Sequence, residues 1–585
     1  MPGKATDTDA ARPAGVFSTT VVAAPAYELR LAQTHDATGY FMPVPQGEPA
    51  FRPVLAYLET HPNDEFMHRC ALDQVLGMPT ERLRELAAEA HGDRILTALL
   101  LEAGHTREAL AWLQDLFGPE AAAGCRHATP LIVLRAAMLP DRERHRQWVG
   151  LLRENLLHHR PLTAAPEGWP APVEDPESCC SGGITLADVP PPAGGPPPSS
   201  PPPSFDAVYA CAMEALEDLG ILEEEMRHES SLSPVALLRR WRLAVHVDQD
   251  RHHFRLSGLQ TAYGKGLSLA RARASCAMEI VERVSAFATV VRGRLPDTAA
   301  EARLARARLS DLQGDGIGAL DPNTLALEVP YEDQPLYWIQ GERAGGSAVS
   351  VPFQTVYLFA NLDEISLFSG LGSTGLAAGS TLAQAKFHAL LECIERDADA
   401  VQPFDRGQCF RLATRDAALS GLLAEYRRRG IDVFFQDCRN AFGVPCYKCF
   451  VYGPAAGVIA KGTSAHFAGW QAALAALTET PYPFPHGPDS RPGPENLPVR
   501  FLEALPDYGS DDPETDLRRL ETLLAAHGRS PVYVNLTRRD LAIPVVRTLV
   551  PGLELMADFD RYSRVSPRLY GNYRQQLESS DRPRA

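Results

Sequence analysis

One short pattern occurs twice in this chain: Glu279-x-x-Glu282-Arg283 and Glu392-x-x-Glu395-Arg396. Each copy sits in a segment, Ser268–Phe287 and Thr381–Ala400, that is rich in Ala, Leu, Met and Glu and lacks Pro and Gly. Such segments read as helices. Residues three and four apart share a helix face. Ser275, Glu279 and Glu282 therefore form one stripe, and Gln384, His388, Glu392 and Glu395 another. Carboxylates spaced this way repel one another. They become favourable around hard divalent cations, which take oxygen ligands and bridge to phosphate, while Arg forks onto phosphate oxygens. A lone copy is ordinarily a solvated helix face. Here the neighbours are small or apolar (Ala277, Met278, Ile280; Leu390, Leu391, Cys393, Ile394), and the pattern is doubled, so a partly buried site is expected.

At 585 residues the chain exceeds one hydrophobic core, and two or three domains are expected. A formal net charge of −16 without a basic stripe excludes a general nucleic-acid binder but leaves room for a nucleotide site. No apolar run reaches membrane-spanning length. The start carries Lys4 and an apolar patch at Val21–Ala24, interrupted upstream by Asp7 and Asp9, and reads as disordered, not as a signal peptide. The 11 cysteines form no framework, which fits a reducing, cytoplasmic setting. Cys446-x-x-Cys449 falls in Val444–Val451, an apolar run that reads as a buried strand. With no second such pair, both are assigned to the core. Cys179-Cys180 receive no role, since a disulfide between neighbours is strained.

Residues 163–204 contain Pro-Pro-Pro three times, at Pro190–Pro192, Pro196–Pro198 and Pro201–Pro203, and read as an extended linker. Residues 1–162 before it read as a helical accessory domain, a helix-hairpin stack. Helices are expected to start at Pro79-Thr80-Glu81 and at His105-Thr106, with another over Arg142–His158. Beyond the linker, helices alternate with strand-like runs at Thr355–Phe359, Val433–Phe435, Val444–Val451, Val532–Leu536 and Ile543–Val550, an α+β pattern. Gly372–Gly379 feeds the second acidic helix, with Thr381-x-x-Gln384 as a capping box. A small-residue loop at a helix N-terminus offers backbone N–H groups to an anion.

These residues, taken in order over 205–576, resemble the YcaO family. The resemblance rests on Gly264-Lys265-Gly266, on Ser275 through Arg283, and on Ser373-Thr374-Gly375-Leu376-Ala377-Ala378-Gly379. It continues through Leu390–Ala398, Ala476-Leu477-Thr478-Glu479, Asn535-Leu536-Thr537-Arg538, Ile543-Pro544-Val545-Val546-Arg547 and Val550-Pro551-Gly552-Leu553-Glu554. It implies an α+β YcaO-type fold that holds ATP through Mg2+ on helix-borne glutamates. It also implies activation of a peptide backbone amide, most often in a ribosomally made precursor: the amide oxygen is phosphorylated and expelled as phosphate. Carried over, Glu279, Glu282, Glu392 and Glu395 would hold metal. Lys265, Ser275, Arg283, His388, Arg396 and Arg547 would contact ATP, and His388 is the one catalytic candidate.

The chain departs from the family at several points. Gln384 and His388 stand where many members have Glu and Gln. The last nine residues, 577–585, read as a disordered tail with one Pro, unlike the Pro-rich tails of azoline-forming members. Residues 1–162 do not resemble the fused domain of those members. The Pro-Val-Val-Arg and Pro-Gly-Leu-Glu ending is similar to members that work with a TfuA partner in thioamidation. The expectation is an ATP-dependent peptide-modifying enzyme, thioamide formation favoured, that acts with a precursor peptide, a TfuA-like sulfur-delivery partner and a second copy of itself. The alternatives are an azoline-forming cyclodehydratase, an amidine-forming enzyme and a non-catalytic nucleotide-binding adaptor.

Overall fold

The strand that ends in Gly264-Lys265-Gly266 is one arm of a hairpin with 15 residues in each arm, Val235–Gln249 and His252–Gly266. The arms pair without a register break from Val235↔Gly266 to Gln249↔His252. In this computed structural model of the chain, residues 24–32, 40–173, 183–191, 203–510, 512–555 and 559–580 are described. The expected disordered start, Cys179-Cys180 and most of the Pro-Pro-Pro runs lie outside them.

The hairpin anchors the first of three sheets among the described residues. Its order is Tyr40–Pro45, Ala26–Ala32, His252–Gly266, Val235–Gln249, Val290–Val291, Arg294–Leu295 and Ala302–Arg303, with Leu222–Arg227 also paired to Val235–Gln249. The second sheet runs Ala348–Pro352, Leu336–Arg343, Val532–Asn535, Val545–Leu549 and Leu376–Ala378. The third runs Ile459–Ala465, Cys446–Tyr452, Phe434–Asp437, Cys409–Ala413 and Val499–Phe501. This is the expected mixture of helices and sheets. Cys446 and Cys449 are fully buried and free, as the apolar run around them requires.

Leu269–Ser285, the first acidic helix, is capped by Ser268, which accepts from Arg271 N, and lies directly on the hairpin. Gly264 makes this approach possible: a Cβ there would sit 2.0 Å from Ala272 O. The second acidic helix, Leu382–Val401, starts at Thr381, whose side chain accepts from Gln384 N, and Gln384 Oε1 in turn accepts from Ser380 N at 2.8 Å. Gln384 is thus engaged in the cap. This helix buries Leu390, Leu391 and Ile394 among its acids. Each such side chain contributes roughly 1.5–3 kcal/mol.

Several expectations need correction. Thr355–Phe359 is a short 3-10 turn and coil rather than a strand, because Thr355 Oγ1 turns back on Pro352 O and Val356 N on Phe353 O. His105-Thr106 ends a helix, Arg94–Thr106, instead of starting one. Asp93 caps that helix by accepting from Ile95 and Leu96 N. Gly104 stays inside it because Leu110 O and Gln114 pack against its bare Cα. The helix at Thr80–Glu89 forms without a side-chain cap. Residues 577–580 belong to the helix Pro567–Ser580, so the tail is shorter than its polar composition implied. The region ahead of the Pro-rich segment is helical but also contributes two strands, Ala26–Ala32 and Tyr40–Pro45, because Ala26–Glu28 find parallel partners in Arg255–Ser257.

That pairing shows how the two sides of the Pro-rich segment relate. Tyr27 and Phe66 pack edge-to-face on Phe254, with ring centroids 5.5 and 5.7 Å away. Asn361 donates to Asp64, and Asn63 donates to Asp363. Part of the expected linker is itself packed. Leu186 and Val189 are buried against Leu517, Leu520 and Leu524, and Arg519 donates to Val189 O. Gly, Ser and Pro dominate the segment, but these two apolar residues find a groove.

Candidate active site

The two acidic helices bring their carboxylates to one place. Glu279 Oε2 accepts from the Tyr263 backbone N–H at 2.8 Å, at the strand end that carries Gly264. Arg283 lies 3.7 Å from Glu279 and 3.0 Å from Glu282. On the second helix, Arg396 lies 3.7 Å from Glu392 and 3.9 Å from Glu395. Glu392 accepts from Gly375 N at 3.2 Å and Glu395 from Ala465 N at 3.3 Å. All four carboxylates are largely but not fully buried.

Burial pushes the Glu282 carboxyl up to about 8, and the charges of Glu392 and Glu279 add to this against the pull of Arg283. Burial also raises Glu395 to about 8, and raises Glu279 and Glu392. Arg283 and Arg396 each face two of the four acids, Arg547 adds positive charge near Glu282 and Glu392, and Lys265 near Glu279. Among the described residues no three His, Cys, Asp or Glu side chains converge as a protein-only metal cage. A magnesium site completed by phosphate oxygens and water needs only one or two carboxylates per ion.

Arg547 enters from the strand Val545–Leu549, paired with Leu376 and Val534 on either side. It is fully buried, its Nη1 donates to Gly372 O at 3.0 Å, and Nε and Nη2 have no hydrogen-bond partner. Burial lowers its pKa to about 10. A buried guanidinium with two unpartnered nitrogens beside carboxylates of raised pKa can meet an anion on one side and acids that hold a cation on the other. The donor set therefore fits Mg2+ with a phosphate ligand.

The other expected residues fall as follows. Lys265 Nζ sits 2.5 Å from Glu479 Oε2, linking the hairpin to the helix Gly469–Glu479. Ser275 is exposed on the first stripe. His388 is exposed as well, and the surrounding protein lowers its pKa. Several N–H groups of the Gly372–Gly379 loop are already engaged within the protein. Gly375 N is taken by Glu392, Leu376 N by Ser373 O and Gly379 N by Pro544 O. Gly375 is required for closeness: its φ is +81°, and a Cβ would meet Thr548 O at 2.3 Å. Glu479 is the residue that sequence reasoning passed over. It ends a recognised motif, yet only the approach of a third helix shows that its charge reaches Glu279 and Glu395.

The YcaO family model, described as YcaO cyclodehydratase, ATP- and Mg2+-binding, matches residues 263–481 and 484–554. An uncharacterized protein of Methanothermobacter thermautotrophicus is 30% identical over 339 residues, 52% of this chain and 84% of that protein. An uncharacterized protein in the tfuA 3' region of Rhizobium leguminosarum bv. trifolii is 27% identical over 199 residues, 32% of this chain and 44% of that protein. Among solved structures, a heterocyclase in complex with substrate and cofactor is 17% identical with a TM-score of 0.49. That likeness covers 65% of this chain, and the chain spans only 58% of the heterocyclase. The chain belongs to the YcaO family, whose members are described as binding ATP and Mg2+. No helix among the described residues is long and apolar enough to cross a membrane.

Proposed function

We propose that this protein uses ATP and Mg2+ to activate a backbone amide of a ribosomally made peptide, and that the product is a thioamide. The observation that carries the activation step is the facing pair of acidic helices, whose carboxylates are held at raised pKa beside a buried, half-partnered Arg547. Glu279, Glu282, Glu392 and Glu395 would hold the metal. Arg283, Arg396, Arg547, Lys265 and Ser275 would bind the nucleotide. Bound ATP supplies the phosphoryl group that makes an amide oxygen a leaving group, and Mg2+ offsets the charge that develops. The protein's own part is to orient these groups and exclude water with the apolar backs of both helices. His388, exposed on the same stripe as Glu392, would take a proton from the incoming nucleophile.

The thioamide reading is supported by the ending at Pro544–Glu554 and by the relative in the tfuA 3' region. It requires an external sulfur donor, delivered by a TfuA-like partner. Mass spectrometry of a cognate precursor peptide separates the products: an azoline loses one water per modified residue, whereas a thioamide exchanges one oxygen for one sulfur. Water loss without a sulfur donor would establish cyclodehydration instead. Absence of any ATP-dependent mass change would make the protein a nucleotide-binding adaptor.

A further inference from the structure

The second arm of the long hairpin has a bare edge beside the first acidic helix. Along a strand, backbone N–H and C=O groups point alternately to one side and the other. In His252–Gly266 the odd-numbered residues face away from Val235–Gln249. Arg255 N donates to Pro25 O at 3.2 Å, and Tyr263 N donates to Glu279 Oε2 at 2.8 Å. Ser257, Leu259 and Thr261 lie in the same row.

This row is covered only at its ends. The strand Ala26–Ala32 pairs with it from Ala26↔Arg255 to Glu28↔Ser257 and then leaves. Leu29 packs onto Gly258 instead, where a Cβ would sit 3.0 Å from Leu29 Cβ and O. At the other end Glu279 takes the Tyr263 N–H. Between these points, among the described residues, the N–H groups of Leu259 and Thr261 meet no acceptor and the Thr261 C=O meets no donor. The Leu259 C=O is met only by the side-chain amide of Gln260, at 3.3 Å. Leu259 and Tyr263 are 44% and 40% exposed, so this stretch is open to solvent.

A bare edge is a template for another strand, and sheets ordinarily cover it or blunt it with charge or Pro. Leu259, Gln260 and Thr261 carry neither. The place of the edge names its occupant, because the next group in the row is a glutamate assigned to metal. A strand laid along Leu259–Thr261 cannot continue past Tyr263, whose N–H is occupied. Its following residue, about 7 Å further on, is turned out of the sheet at Glu279. An amide that ATP is to phosphorylate has to arrive there.

We propose that the edge Leu259–Thr261 holds the peptide substrate by strand addition, through main-chain hydrogen bonds, and delivers its next backbone amide to the acidic helices. The inference rests on the peptide-activation reading and adds where and how the substrate is held.

The test uses the full chain with Mg2+ and ADP, and as probe an acetylated, amidated hexapeptide of alternating Thr and Gln at millimolar concentration. Hydrogen exchange of the Leu259 and Thr261 amides is expected to slow with this peptide and not with its fully N-methylated counterpart. Thr261→Pro removes an edge N–H and no bond to Val235–Gln249, a position where Pro is tolerated. It should weaken peptide binding by roughly 3- to 10-fold, the worth of one or two hydrogen bonds, with ADP affinity and melting temperature unchanged. Thr261→Val keeps the backbone and should bind as wild type. Leu259→Pro, at the same edge, decides the matter if Thr261→Pro does not fold. Unchanged exchange with the peptide, or equal slowing by the N-methylated one, would overturn the edge. Loss of ADP affinity in Thr261→Pro would assign the edge to the nucleotide, and self-association abolished by Thr261→Pro would assign it to a second copy; either overturns the proposal. ATP-dependent modification of a precursor peptide with no slowing at the edge would sink this inference alone. Slowing at the edge without any such modification would sink the activation reading and leave the edge as a peptide dock.

Discussion

The Tyr263 backbone N–H donates to Glu279 Oε2 at 2.8 Å, so the first acidic helix is tied to the end of the long hairpin through one of its glutamates. The bond restrains Glu279 through Oε2, while Oε1 faces Arg283 at 3.7 Å. Glu279→Ala and Glu392→Ala are each expected to lower Mg2+-dependent ATP affinity by at least about 10-fold, as loss of a metal-site contact does. Removing one of several repelling acids should leave the melting temperature of the metal-free protein unchanged or raised. Calorimetric titration with ATP and a thermal melt check both halves; wild-type affinity in both variants would remove these residues from the metal site.

The raised carboxyl groups make a signed pH prediction. Glu282 and Glu395 titrate near 8 when folded and at the ordinary carboxylate value when unfolded. Between those values the native state binds more protons, so stability falls as pH rises. The metal-free protein should therefore melt at a higher temperature at pH 6 than at pH 8. Binding of Mg2+ and ATP at pH 7 should release protons from these groups, which appears as a dependence of the calorimetric heat on buffer ionisation enthalpy. A flat pH profile and no proton release would contradict the burial of these acids.

Arg547 separates binding from folding. Its buried guanidinium has one direct hydrogen bond and two unpartnered nitrogens. Replacing a poorly paired buried charge by an apolar group of similar volume is often neutral or stabilising. Arg547→Met should accordingly keep or raise the melting temperature of the nucleotide-free protein while weakening ATP binding. A large loss of stability with full ATP affinity would assign Arg547 a structural role alone.

Limited proteolysis is expected to cut first in the Pro- and Ser-rich stretch between 192 and 202, on composition. Because Ala26–Glu28 pair with Arg255–Ser257 and Tyr27 packs on Phe254, the two pieces should co-elute on gel filtration after the cut. They should part only in denaturant. Ready separation in buffer would show that the two sides fold independently.

The doubled Glu-x-x-Glu-Arg, its helices and the strands at Phe434–Asp437, Cys446–Tyr452, Val532–Asn535 and Val545–Leu549 were legible because each rests on local periodicity. Thr355–Phe359 was not, since a β-branched and aromatic run favours a strand unless local hydrogen bonds close a turn first. Lys265 and Glu479 were both in recognised motifs, yet 214 residues separate them and no pattern along the chain announces their ion pair.

The sequence alone determined which side chains could serve a phosphate and a divalent cation, because helix period places Glu279 beside Glu282 and Glu392 beside Glu395 wherever the helices go. Tertiary structure decided how those acids are charged and how the chain divides. Only packing sets the burial that lifts Glu282 and Glu395 towards 8 and strands two nitrogens of Arg547. Only packing draws Tyr27, Phe66 and Phe254 into one core across a Pro-rich segment that composition marks as a boundary. Solvation and long-range contact depend on what is brought near in space, and local sequence does not encode that.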